Sequence, residues 1–431
     1  MTKKIEDKRI VVTGLGPFSA IGTGKDEVWA SILKKHTGLA QEEFAIDGKL
    51  VDKYFVHKIK EFNIERFHID KQILADILLW KDHKEPQDLF YLMAAAKLAF
   101  DDSRINIDRN RIGLVLAHEN PGLDQFYTDI IDGLYKLRQE DKIGFFKGIN
   151  EGLAKRGHDL QTFVFLYFVA KALDIHGYSL FLNNACASGL FAIEAGADII
   201  RSGKCDCAIV AAADKSSIFK QSWFRRLGMY PEDGLIKPFA KNRNGFVLGD
   251  GGAGIALESL SSALKRKAHI YAEYLGGAFH IEAWKISIPD MSGNSYSTVI
   301  KSALKNSGVD KKSIDLLVPH GVATPVTDAY EAKAITDVFG KNPKKPLITA
   351  FKPYIGHNLG SSALLETAIL LLSLENNIIP PTLNCQIPDS KLSVSPVKDL
   401  IKTKLNTVMK IACGFAGYNG AAVFRKFKHG K

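Results

Sequence analysis

Along the chain, short runs of β-branched and other apolar residues alternate with stretches in which apolar residues recur at i, i+3, i+4 and i+7. The short runs predict strands over 9–13, 112–117, 178–183, 208–213, 254–258, 269–275, 314–318, 347–350, 408–413 and 421–427. The 3.6-residue period predicts helices over 88–101, 187–202, 295–306, 327–338 and 361–376, several of them stopping at a Gly or Asn, as at Gly203 and Gly308. Such alternation is the mark of α/β layering. The order of elements is similar in two halves, before and after about residue 260, joined by the basic helical stretch 261–267. Residues 40–85 and 120–165 fit neither half and read as insertions that cap a pocket or meet a second subunit.

Composition narrows the class. The 431 residues suffice for two or three ordinary domains, and 46% hydrophobic with 24% charged residues is ordinary for a folded soluble protein. No apolar run approaches the roughly 18 to 20 residues of a membrane span. The start of the chain is charged and runs directly into Ile10-Val11-Val12 without a signal-like segment, which points to the cytoplasm and away from membranes. Five cysteines make no disulfide framework, and Cys205-Asp206-Cys207 lacks a second ligand pair at zinc spacing, so no metal is expected. The net charge is +10, and residues 391–431 carry nine Lys/Arg against one acid, Asp399. A basic face favours an anionic partner. Without a zinc-finger or RNP-like motif, an acidic protein fits better than nucleic acid.

Two glycine-rich stretches invite a cofactor reading. Val11 to Gly22 is similar to the glycine turn of short-chain dehydrogenases, and Tyr167 with Lys171 supplies a Tyr-x-x-x-Lys pair. Pro17 and Phe18 occupy positions where a backbone approaching a pyrophosphate needs small residues, so a nicotinamide enzyme is set aside. Gly249 to Gly254 leads into an apolar strand instead of a helix, and reads as a tight turn lining a cleft.

Three segments carry chemistry. Asn183-Asn184-Ala185-Cys186-Ala187-Ser188-Gly189 lies between a strand and an amphipathic helix, where unpaired N–H groups and the positive dipole end favour a thiolate. Taken alone, a cysteine at such a junction is more often a small buried hydrophobe. Val318-Pro319-His320-Gly321 ends an apolar strand in an imidazole. Lys352-Pro353-Tyr354-Ile355-Gly356-His357 places a second one before a helix N-terminus, which favours its neutral form.

Together these segments resemble the elongating β-ketoacyl-acyl-carrier-protein synthases, with their Cys-His-His site on a thiolase fold. Other stretches match in order: Lys237-Pro238-Phe239 before Gly245 to Gly251, Thr324-Pro325 with Asp328 and Glu331, Lys352 and Glu366 flanking His357, and Gly414 to Gly420. The resemblance runs from Arg9 to Phe427. It implies two pseudo-duplicated βαβαβαββ halves in a five-layer αβαβα arrangement, residues 1–260 holding Cys186 and residues 261–431 holding His320, His357 and the Phe415 loop.

The resemblance implies that Cys186 takes an acyl chain from the phosphopantetheine of a carrier protein, and that the chain itself binds no cofactor. It makes the backbone N–H groups of Cys186 and Phe415 the oxyanion hole, His320 and His357 the promoters of malonyl decarboxylation, and Lys352 with Glu366 a supporting ion pair. Thr324, Gly414 and Phe415 become substrate-binding, with Phe415 as a gate. Arg225, Arg226, Lys265, Arg266 and Lys267 are candidates for docking an acidic carrier.

Departures from the family text sharpen the expectation. Val322-Ala323 follows His320-Gly321 where Thr is usual, Ala240 and Asn244 stand where Asp is common, and Cys413, Ala416 and Tyr418 replace common Phe, Gly and Thr. They point to the ketosynthase subunit of a type II polyketide or aryl-polyene pathway, dimeric with itself or with a chain-length-factor paralogue. The alternatives are a housekeeping fatty-acid enzyme, a non-catalytic chain-length factor, and a cysteine hydrolase. Segment 160–175 is the expected subunit interface.

Overall fold

The computed structural model describes residues 8–46, 49–80, 85–119, 122–123, 142–156 and 161–428. Its strands are β1 (Ile10–Ser19), β2 (Gly22–Thr23), β3 (Leu39–Ile46), β4 (Lys49–His57), β5 (Ile112–Ala117), β6 (Ser179–Leu182), β7 (Cys207–Asp214), β8 (Gly251–Ser259), β9 (Ala272–Ile281), β10 (Leu316–Val318), β11 (Leu347–Ile348), β12 (Ile378–Ile379), β13 (Ile401–Lys402), β14 (Thr407–Gly414) and β15 (Tyr418–Arg425).

The main sheet runs β11-β10-β14-β15-β9-β1-β8-β7-β5-β6. Numbered within its own half, each set of five strands has the order 3-2-4-5-1, with the fifth antiparallel to its neighbours. The sets meet along only three residue pairs, Ile10–Val12 of β1 against Ala272–Tyr274 of β9. The helices Ser188–Arg201 and Ser362–Asn376 pack on each other between the two sets, the first on β5 and β7 and the second on β14. The helix Gln87–Ser103 covers β1, β8 and β7 from outside, and Asn294–Asn306 with Pro325–Phe339 covers the other half. The five-layer thiolase-like arrangement results, with three apolar cores between its layers.

Each predicted strand and helix is present, most with shifted ends and β5 with the ends predicted. The strand predicted over 9–13 continues through the glycine-rich text to Ser19 as β1, paired with β8, so that text is strand and not the dehydrogenase-like turn already set aside. A Cβ on Gly14 would lie 2.3 Å from the Ala99 carbonyl, and one on Gly16 2.4 Å from the Ala99 nitrogen, so both are needed for the helix Gln87–Ser103 to lie on the sheet. Gly251 to Gly254 likewise belong to β8 itself, not to a tight turn; a Cβ on Gly252 would meet the Ala212 carbonyl at 2.0 Å. Of the insertions, 40–85 holds the β3–β4 hairpin and the helix Lys71–Trp80, while 120–121, 124–141 and 157–160 lie outside the described residues. No described helix is long and apolar enough to cross a membrane.

Candidate active site

The backbone turns sharply before Cys186. Ala185 has φ +50°, and its geometry is fixed by Ser188, whose hydroxyl accepts from Asn184 N at 2.7 Å and donates to the Ala185 carbonyl at 2.6 Å. Cys186 therefore arrives just before the helix Ser188–Arg201 with its sulfur almost wholly buried. Gly189 lets that helix touch its neighbour, since a Cβ there would lie 2.7 Å from Leu364.

One cavity is lined by Cys186, His320, His357, Thr324, Gly414 and Phe415, so the residues that the sequence and its family resemblance singled out from four distant segments converge. The imidazoles of His320 and His357 stand 5.4 Å apart between centroids, at 79°. His357 Nδ1 is 2.8 Å from Ser362 Oγ, and Phe246 packs edge-on against its ring. Thr324 also caps the helix Pro325–Phe339, its hydroxyl accepting from Thr327 N at 3.2 Å. A Cβ on Gly414 would sit 3.1 Å from the Cys186 nitrogen, so glycine there leaves that N–H room for an oxygen. Phe415 packs edge-on against Trp223, 5.8 Å between centroids, and near Phe224.

Behind the histidines lies a buried ionic network. Lys352 Nζ donates to Glu366 Oε1 at 2.8 Å and to the His320 carbonyl at 2.6 Å. Lys410, which sequence reasoning left among the surface charges of the basic tail, is fully buried with Nζ 2.6 Å from Glu366 Oε2, and it donates to the Pro319 carbonyl at 2.8 Å. Glu331 accepts from His320 N at 2.7 Å and Gly321 N at 2.8 Å. Two lysines and two glutamates thus clamp the loop that presents His320. The signal for Lys410 was its place in a strand of otherwise apolar text, Val408-Met409-Lys410-Ile411-Ala412.

Electrostatics differ from the expectation for the thiol. Burial pushes the Cys186 thiol up, Glu119 and Asp214 add to this, and Lys352 opposes it; the resting sulfur is a thiol, not a thiolate. Burial pushes both histidines well below their ordinary value, with Lys352 and Lys410 adding, so both are neutral at pH 7. For His357 the direction matches the helix-dipole expectation, though burial is the larger cause.

The basic candidates divide. Arg225 and Arg226 end the helix Ile218–Arg226, whose Phe224 lines the cavity; Arg225 is half-buried against Asp52 and Tyr230, and Arg226 is exposed. The structure does not bring Lys265, Arg266 and Lys267 to this mouth. They follow β8 at its Ser259 end, opposite the Gly251 end beside the site, and Arg266 is held by Glu258 at 2.7 Å. No metal-binding cluster of His, Cys, Asp or Glu is present among the described residues.

A thiol at the head of a central helix, facing two neutral imidazoles on duplicated five-stranded sheets, defines a thiolase-fold condensing enzyme as the class. The comparisons make the family specific: residues 7–263 match the model described as Beta-ketoacyl synthase, N-terminal domain, and residues 271–386 match the C-terminal domain. The chain belongs to the beta-ketoacyl synthase family. It is 27% identical over 436 residues to 3-oxoacyl-[acyl-carrier-protein] synthase 2 of Coxiella burnetii (strain RSA 493 / Nine Mile phase I), covering 98% of this chain and 99% of the relative. It is 28% identical over 434 residues to the protein of the same name from Staphylococcus aureus (strain COL), with 98% and 99% covered. Among solved structures it is similar to the ishigamide ketosynthase/chain length factor, with a TM-score of 0.84, 27% identity, and 97% and 99% of the two chains covered.

Proposed function

We propose that this chain is a β-ketoacyl-carrier-protein synthase that joins a malonyl unit to an acyl group held on Cys186. The observation that carries this reading is the cavity that Cys186, His320 and His357 line together. In the first half-reaction the sulfur attacks the acyl thioester, its proton leaves through a neutral histidine, and the phosphopantetheine thiol departs. The backbone N–H groups of Cys186 and Phe415 hold the oxyanion. In the second, His320 and His357 donate to the malonyl thioester oxygen, carbon dioxide leaves, and the carbanion attacks the Cys186 thioester, releasing the cysteine. Lys352, Glu366 and the newly found Lys410 hold the histidine loop in place. No step calls for a cofactor bound by the chain.

We read the two topologically equivalent sheets as thiolase halves dividing at residues 260/261. Carrier docking falls to Arg225 and Arg226 beside the cavity mouth, and we place the reaction in the cytoplasm. The polyketide or aryl-polyene reading, with a chain-length-factor partner, is supported by the similarity to the ishigamide ketosynthase/chain length factor. The housekeeping alternative is favoured by the 3-oxoacyl synthase relatives. A subunit partner adding at β6 is supported by its place as one of the two terminal strands of the main sheet among the described residues, with Leu180, Phe181 and Leu182 only partly buried. Beside it, the helix Thr162–Leu173 exposes Phe163 and Tyr167.

Intact-protein mass spectrometry tests the reading. Incubation with acyl-carrier protein is expected to add the acyl mass to the wild type but not to Cys186→Ala, and malonyl-carrier protein is expected to discharge it with release of carbon dioxide. An adduct that forms equally on the variant overturns it. Discharge without a partner favours the housekeeping enzyme; discharge only with an added chain-length factor favours the polyketide subunit.

A further inference from the structure

The cavity that holds Cys186, His320 and His357 has a polar wall that the two half-reactions leave unused. It is lined there by Glu282 just past β9, by Tyr330 in the helix Pro325–Phe339, and by Asn419 in β15. Their side chains are linked in sequence: Asn419 Nδ2 donates to Tyr330 Oη at 2.8 Å, and Tyr330 Oη donates to Glu282 Oε1 at 3.3 Å. Glu282 is pinned in turn, its N–H donating to the Gly417 carbonyl at 2.8 Å. The last member sets the direction of the whole series. A carboxylate can only accept and a phenol has a single proton to give, so Tyr330 accepts from the Asn419 amide, which is thereby held with Nδ2 on the tyrosine and Oδ1 turned away from it.

Asn419 is almost wholly buried, yet its Oδ1 has no hydrogen-bond partner among the described residues. It stands close to the nucleophile, as the cross-strand partner of Cys413, next to the Gly414 whose Cβ would lie 3.1 Å from Cys186 N. A buried amide oxygen without a donor is costly, and a donor carried in by the substrate satisfies it. The reacting groups bring none: a malonyl carboxylate and a thioester carbonyl only accept, and an alkyl chain does neither. The arm that carries them does, because pantetheine has an amide N–H two carbons from its sulfur. Other acceptors near the histidine loop are spent or missing. The Thr324 hydroxyl already accepts from Thr327 N at 3.2 Å, and Val322 has no hydroxyl.

We propose that Asn419 Oδ1 accepts the amide N–H nearest the sulfur of the carrier's pantetheine arm, with Tyr330 and Glu282 as positioning residues that hold the Asn419 amide in that sense. The inference rests on the condensing function proposed above, and it adds the group by which the site selects a carrier-borne thioester over a plain one. The rate of Cys186 acylation, followed by intact mass, is compared for hexanoyl-pantetheine and for the analogue in which an ester oxygen replaces that amide N–H. The wild type is expected to take the amide roughly 10- to 100-fold faster. Asn419→Leu is expected to abolish the preference, so that amide and ester react at one rate. Tyr330→Phe leaves Asn419 in place but frees its amide to turn over, and is expected to lower the preference without abolishing it. Because the readout is a ratio of two substrates on one enzyme, a variant that is merely less stable leaves it unmoved. Equal rates for amide and ester on the wild type, or a preference that Asn419→Leu and Tyr330→Phe both keep, overturn the proposal and leave the condensing function standing. A wild type that neither hexanoyl-pantetheine nor hexanoyl-carrier protein acylates overturns both.

Discussion

Replacing Lys410 by methionine tests whether the charge network behind the histidines does what its geometry implies. The substitution keeps an apolar stem of similar length in a fully buried position, so it removes the ammonium while leaving little empty space. Glu366 Oε2 then loses a cation at 2.6 Å and the Pro319 carbonyl a donor at 2.8 Å. Removing one partner of a buried pair leaves an uncompensated charge, so the expected loss of stability is about 3–5 kcal/mol, read by chemical denaturation. Activity carries an independent signature. Lys410 is among the charges that hold His320 and His357 below their ordinary value, so in Lys410→Met both rise. Malonyl decarboxylation needs these imidazoles neutral, hence its acid limb moves to higher pH in the variant. Adding Glu366→Gln removes the stranded carboxylate and is expected to recover part of the stability, a coupling that a double-mutant cycle measures. A Lys410→Met enzyme with an unmoved acid limb and stability within about 0.5 kcal/mol of wild type would refute the reasoning.

Gly414→Ala places a Cβ 3.1 Å from the Cys186 nitrogen and is expected to lower the condensation rate by about 10²–10³, the effect of losing one oxyanion donor, with an unchanged circular dichroism spectrum. His57 is buried with Nδ1 3.1 Å from the Tyr354 carbonyl, and burial lowers it from 6.5 to about 4. Because the unfolded chain binds this proton first, its contribution to stability is complete above pH 6.5 and is lost as pH falls towards 4, by about 3 kcal/mol. Denaturant titrations at pH 7 and pH 4 are expected to show that much less pH dependence in His57→Gln than in wild type.

The fold was legible where periodicity dominates. The helix Ser362–Asn376 and the strands β5 and β7 are buried almost throughout because both their faces meet other layers, while Ser188–Arg201 keeps a polar stripe of Glu194, Asp198 and Arg201. The site was legible for a different reason: Cys186 and His320 each follow an apolar strand and precede small residues, and His357 stands shortly before a helix, local signatures that survive without knowledge of long-range contacts. The glycines of β1 and β8 concealed the full length of their strands because their requirement is tertiary. Gly14, Gly16 and Gly254 face the helix Gln87–Ser103, and nothing in their own text announces that neighbour.

The ionic residues show the same division from the other side. Lys352 and Glu366 were found through a pattern around His357, whereas Lys410 belongs to a strand and its partner lies 44 residues away, at Glu366. Its role follows only once the two sheets meet back to back over the central helices. That packing also explains why the thiol is not ionised at rest. The layers that bring Cys186 to the histidines bury it more completely than the helix terminus alone can offset, so deprotonation becomes part of the attack on substrate. An enzyme built this way keeps its nucleophile quiet until an acyl thioester enters, and the negative charge of Glu119 adds to that restraint.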